Sequence, residues 1–147
     1  MIPLSEVKSK GLRHNSKNNN RLMFFASSIS IYFSWLFINL GLSANAVTGI
    51  FFVTGLLGAG AAFNGDIFVV VTSYLLYRMH IVFDVCDGEV ARFNQKFSLN
   101  GAYWDYMIHC VLYPLYVIGF SYSLFSQFNE VEFLILGLFL TLVTGLV

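Results

Sequence analysis

Charge is what this chain has least of: Asp, Glu, Lys and Arg together make up 11% of its 147 residues, where a soluble domain carries about 25%. That deficit excludes a surface built to face water. Cysteine is almost as scarce. Cys86 and Cys110 are the two present, too few for the disulfide framework of a small secreted scaffold. Proline is rare, and Pro114 falls inside an apolar run, where it predicts a kink. What the chain has instead is apolar mass, 57% hydrophobic and 18% aromatic. The length allows one compact membrane bundle and no second domain.

The zero net charge hides an uneven layout. Five of the eight basic residues (Lys8, Lys10, Arg13, Lys17 and Arg21) precede Leu22. Residues 1–21 therefore read as a basic, solvated arm, Asn-rich at Asn18 to Asn20. Residues 22–42 are uncharged but dotted with Ser27, Ser28, Ser30, Ser34 and Asn39. Residues 45–62 are apolar and rich in glycine (Gly49, Gly55, Gly58, Gly60), which favours close helix packing in lipid. After a break at Asn64 to Asp66, residues 67–83 form another apolar run, interrupted by Arg78 and His80. A polar stretch from Asp84 to Asn100 follows. Residues 102–126 return to lipid-like composition, 127–132 form a polar turn, and 133–147 are apolar to the last residue. That final run would reach about 22 Å at a rise of 1.5 Å per residue, short of a hydrocarbon core about 30 Å thick. The chain is therefore expected to be a fragment of a longer one.

Topology follows from the positive-inside rule. If 22–42 lies in the interface and the next two runs form an out-and-back hairpin, the basic arm and the Arg92/Lys96 segment face the same side. If 22–42 crosses, one of them must face outside. The serines of 22–42 also suit an interfacial helix. The expected fold class is all-α: a polytopic membrane helix bundle with an interfacial helix at 22–42 and about four spanning segments in 45–147, the last incomplete. Arm and motif are then both cytoplasmic.

The chemistry is concentrated between Asp84 and His109. The sequence runs Asp84-Val-Cys-Asp87-Gly88-Glu-Val-Ala91-Arg92, eight residues, then Gly101-Ala-Tyr-Trp-Asp105-Tyr-Met-Ile-His109. On a helix, Asp84, Asp87, Gly88, Ala91 and Arg92 fall within an arc of about 140°, with Cys86 and Glu89 pointing away. Gly101, Asp105 and His109 recur every fourth residue as one stripe. Two facing helices would thus bring three carboxylates, an imidazole and a guanidinium together. Carboxylates at membrane depth cost about 3 kcal/mol each at a helix centre, and divalent cations would offset both that cost and their repulsion. Two such ions can clamp the attacking and leaving oxygens of a phosphoryl transfer, and Arg92 suits the phosphates. The competing reading is a solvated polar loop. A zinc site from Cys86, His109 and Cys110 fits poorly, because both cysteines point off the stripes.

The pattern Asp-x-x-Asp-Gly-x-x-Ala-Arg, eight residues, Gly-x-x-x-Asp-x-x-x-Asp resembles the signature of CDP-alcohol phosphotransferases. It is matched at Asp84, Asp87, Gly88, Ala91, Arg92, Gly101 and Asp105 with unbroken spacing. Asn45-Ala46-Val47-Thr48 is similar to that family's Asn-x-x-Thr, with Ala44 where proline is usual. The resemblance implies six transmembrane helices after an interfacial one, so that about two are missing here. It implies that Asp84, Asp87 and Asp105 bind two divalent ions, Mg²⁺ or Mn²⁺, and that Asn45, Thr48, Gly88, Ala91 and Arg92 hold the CDP moiety. The implied reaction moves a substituted phosphate from a CDP-alcohol, such as CDP-diacylglycerol, to an acceptor hydroxyl with release of CMP, in phospholipid or related envelope synthesis. Membrane lipids and a second copy of the chain are the implied partners, and no nucleic acid.

One position departs from the signature. The fourth aspartate, the family's assigned base, is His109 here. A neutral imidazole can itself act as a general base. Alternatively it ligates a metal softer than Mg²⁺, or the chain is a non-catalytic membrane subunit that keeps metal and CDP binding. A divalent-cation transporter fits least, since the carboxylates cluster at one membrane face. Upstream, His80 lies about 40° around the helix from Asp84, near enough to support it or simply to pack.

Overall fold

The computed structural model describes residues 1–12, 21–97 and 99–145. Arg13, Lys17, Asn18 to Asn20 and the last two residues of the terminal apolar run lie outside them. The described residues form six α-helices: α1 (Leu4–Gly11), α2 (Arg21–Asn39), α3 (Ala44–Ala62), α4 (Ile67–Asn94), α5 (Leu99–Phe128) and α6 (Glu132–Gly145). Three of them, α3, α4 and α5, are long and apolar enough to cross a membrane. α6 has 14 residues, and the part of α2 whose side chains are described, Ser28–Asn39, is apolar.

Local chemistry explains the helix ends. α2 stops where Gly41 takes φ 73°, with Leu42 N donating to Phe37 O and Gly41 N to Ile38 O, a glycine-closed C-terminus. Asp66 caps α4, its Oδ1 accepting from Phe68 N at 2.9 Å. That cap lets the helix start directly after the Asn64–Gly65 break. α4 then runs through the motif to Asn94 and closes in the same manner at Gln95, φ 52°. The polar segment expected from Asp84 is thus helical for its first half. α5 continues through Pro114 and ends at Asn129, φ 56°.

The chain divides into two compact units, Met1–Phe51 with Met79–Tyr103, and Phe52–Arg78 with Trp104–Val147. In the first, Val7, Ile31, Phe37, Val47, Val82, Cys86 and Val90 form a buried cluster, and Phe83 meets Phe33 edge-on at 5.3 Å. The N-terminal arm differs from the solvated expectation over its described part. Val7 is fully buried, Ile2 N donates to Asn39 Oδ1 at 2.7 Å, and Trp35 Nε1 donates to Ile2 O at 2.8 Å. One apolar side chain and a pair of hydrogen bonds outweigh the mean polarity of the segment. Within α2, Ser30 and Ser34 are fully buried, while Ser28, Ile29, Tyr32 and Leu36 are exposed.

In the second unit small residues allow close approach, as expected in lipid. A methyl on Gly58 would collide with the Tyr116 hydroxyl, and one on Gly119 would stand 2.7 Å from Ala62 Cβ. Ser73 Oγ donates to Gly58 O at 2.7 Å, and Tyr77 packs edge-on to Tyr116 at 4.8 Å.

Candidate functional site

Because α4 is unbroken from Ile67 to Asn94, Asp84, Asp87, Gly88, Ala91 and Arg92 share one helix, as the periodicity predicts. All five are partly buried. The upstream Asn-x-x-Thr segment is the first turn of α3. There Ser43 Oγ accepts from Ala46 N at 3.2 Å, and Thr48 Oγ1 lies 3.1 Å from Ala44 O and 2.8 Å from Asp87 Oδ2. Two motifs 39 positions apart thus meet through a charge-assisted hydrogen bond. Asn45 is exposed and, with Ala91, lines a cleft of about 340 Å³ that also includes Ser43, Asn94, Lys96 and Phe97. The left-handed residues Gly41 and Gln95 turn the two chain segments that border it.

Arg92 is oriented by contacts outside its own helix. Its Nε donates to Gly11 O at 2.6 Å. Gly88 leaves room for the guanidinium, since a methyl there would stand 3.2 Å from Arg92 Nη1.

Gly101, Asp105 and His109 lie on α5. Within the second unit His109 Nε2 is 3.3 Å from Asp105 Oδ1, and its ring lies 4.9 Å from that of Tyr113. Asp105 and His109 thus offer a carboxylate and an imidazole from one stripe of α5. The carboxylate suits hard divalent cations, and the imidazole also admits softer ones.

Sequence reasoning passed over Glu89. It is almost fully buried, and both its oxygens are occupied: Ser30 Oγ donates to Oε1 at 2.8 Å and Ser34 Oγ to Oε2 at 2.6 Å. Cys86, on the same side of α4, lies with Sγ 3.3 Å from Ser30 O. The helical arc correctly turns Glu89 and Cys86 away from the motif face, and α2 receives them. The available signal was a pair of serines four residues apart on an apolar helix, which implies a buried polar partner. His80 is buried as well, with Nδ1 3.0 Å from Phe51 O and its ring 5.2 Å from that of Phe51. Both cysteines are free.

No protein-family model matches the chain, and no curated protein matches it.

Proposed function

We infer that this chain is a CDP-alcohol phosphotransferase. One observation carries the reading: the hydrogen bond from Thr48 to Asp87 joins the two segments that resemble the family's separate motifs, and joins them at the residues the resemblance names. Unbroken signature spacing and the pairing of Asp105 with His109 on α5 support it further.

In this reading Asp84, Asp87 and Asp105 would hold two Mg²⁺ or Mn²⁺ ions, which when bound neutralise a pyrophosphate and polarise its phosphorus. Asn45, Thr48, Gly88, Ala91 and Arg92 hold the CDP moiety, with Arg92 facing the phosphates. His109 takes the proton of the acceptor hydroxyl. The acceptor oxygen bonds to the phosphorus nearer the alcohol, the bond from that phosphorus to the bridging oxygen breaks, and CMP leaves. Topologically, α2 lies in the interface, α3, α4 and α5 cross, and α6 begins a fourth crossing, with the site on the cytoplasmic face. A homodimer of such chains is part of the proposal.

The histidine at position 109 favours a second reading, a membrane subunit that keeps metal and CDP binding without turnover. Release of CMP from labelled CDP-diacylglycerol by the purified chain, with Mg²⁺ or Mn²⁺ and a panel of hydroxyl acceptors, tests both. Metal-dependent release supports the enzyme. Metal-dependent CDP binding without release supports the subunit, and neither activity removes both.

A further inference from the structure

Arg92 is gripped from outside α4. The carbonyl of Gly11 that accepts from its Nε belongs to the last residue of α1. It is one of the carbonyls left without an intrahelical donor at a helix C-terminus, the end that carries the negative pole of the helix dipole. On its other side the guanidinium lies along Gly88, where a methyl would meet Nη1 at 3.2 Å and Nη2 at 3.7 Å. α1 has anchors besides Arg92. Val7 is fully buried in the cluster that includes Cys86 and Val90, and Ile2 is bonded to Asn39 and Trp35 of α2. Gly11 itself sits against α4, since a methyl on it would contact Glu89 O at 3.5 Å.

The geometry points to α1 as a positioning element of the nucleotide site, with the Gly11 carbonyl fixing the Arg92 guanidinium so that its Nη1–Nη2 edge is directed at a diphosphate. This rests on the nucleotide-binding reading above. Arginine carries several rotatable bonds, and a fork ordered in advance loses less freedom when it grips two oxygens. Nε is the nitrogen that an end-on bidentate grip does not use, so anchoring it leaves the geometry of that grip intact. The N-terminal segment, which reads from sequence as a charged arm beside the membrane, thereby acquires a role in binding.

The test is a double-mutant cycle on the full chain in detergent micelles with Mg²⁺, reading the dissociation constant for CDP by calorimetry. Val7→Glu undocks α1 without touching Arg92, Val7→Ala loosens it mildly, and Arg92→Ala removes the guanidinium. Val7→Glu is expected to weaken CDP binding about tenfold, as the competent orientation becomes a minor population, and Val7→Ala to weaken it less. In the Arg92→Ala background neither change at Val7 has a further effect, because no guanidinium remains to be oriented. Equal losses with and without Arg92 would mean a merely structural α1 and would overturn the inference. A second measurement needs no nucleotide: amide hydrogen exchange over residues 4–11 accelerates in Arg92→Ala. Acceleration in a chain whose wild type binds no CDP would sink the nucleotide reading, reducing the clamp to a structural contact. Unchanged exchange would sink the clamp.

Discussion

Thr48 Oγ1 stands 2.8 Å from Asp87 Oδ2, so the first turn of α3 supports a carboxylate on α4. In the proposed site this hydroxyl would orient a metal-binding carboxylate and satisfy one of its lone pairs, and loss of such outer partners costs about 10–100-fold in metal affinity. Thr48→Val keeps the shape and removes the donor. Its CMP release should require about 10–100-fold more Mg²⁺ for half-saturation, while Thr48→Ser should behave as the wild type. A Mg²⁺ titration of release by the three proteins decides the matter. An unshifted Thr48→Val curve would detach Thr48 from the metal site.

His109 and Asp105 make a second pair, 3.3 Å apart one turn along α5. Removing a positioned general base typically slows turnover by about 10²–10⁴-fold. His109→Ala should fall in that range while retaining metal-dependent CDP binding, and His109→Asp, which restores the signature, should recover much of the loss. Steady-state kinetics beside a binding isotherm separates the roles. Wild-type turnover by the alanine variant would exclude His109 as the base, and loss of CDP binding would make it a ligand instead.

How much of this was legible in the sequence depends on the length scale of each interaction. The starts of α3 to α6 were readable within a few residues, that of α4 because Asp66 caps it locally, whereas α4 runs on to Asn94, well past the apolar run that ends at Phe83. The face of α4 was equally legible, since helical geometry alone turns Asp84, Asp87 and Arg92 one way and Glu89 the other. The docking of α1 was not. It depends on Val7 finding a cluster built from residues 24 to 83 positions away, and on a backbone carbonyl at Gly11 that no side-chain pattern advertises. The bonding of Ser30 and Ser34 to Glu89 was not legible either, because polarity on an apolar helix looks the same whether it meets headgroups or a buried carboxyl group.

Glu89 supplies a stability prediction from that bonding. Two buried hydroxyls serve one buried carboxyl group, so deleting either leaves a buried oxygen without its donor, a loss of about 1–3 kcal/mol. Ser30→Ala and Ser34→Ala should each destabilise the fold by that amount in equilibrium unfolding from mixed micelles. The triple change Ser30→Ala, Ser34→Ala, Glu89→Met should be far milder than the sum of its parts, because it removes donors and acceptor together. An additive triple variant would show that the three groups do not act as one network.

Glycine packing in the second unit separates positions that composition alone treats as equal. At Gly119 an added methyl would stand 2.7 Å from Ala62 Cβ and 3.2 Å from the Phe63 ring, whereas at Gly60 it would meet nothing within 4 Å. Overpacking of this kind costs about 1–3 kcal/mol, and replacing an open helical glycine by alanine gains about 0.4–1 kcal/mol through the unfolded chain. Gly119→Ala should therefore destabilise and Gly60→Ala should be neutral or stabilising, both measured by the same unfolding assay. Ala62→Gly added to Gly119→Ala should recover part of the loss, since it withdraws the methyl that the new one strikes. If Gly119→Ala and Gly60→Ala proved equally benign, small residues in this chain would mark sequence habit and not helix approach.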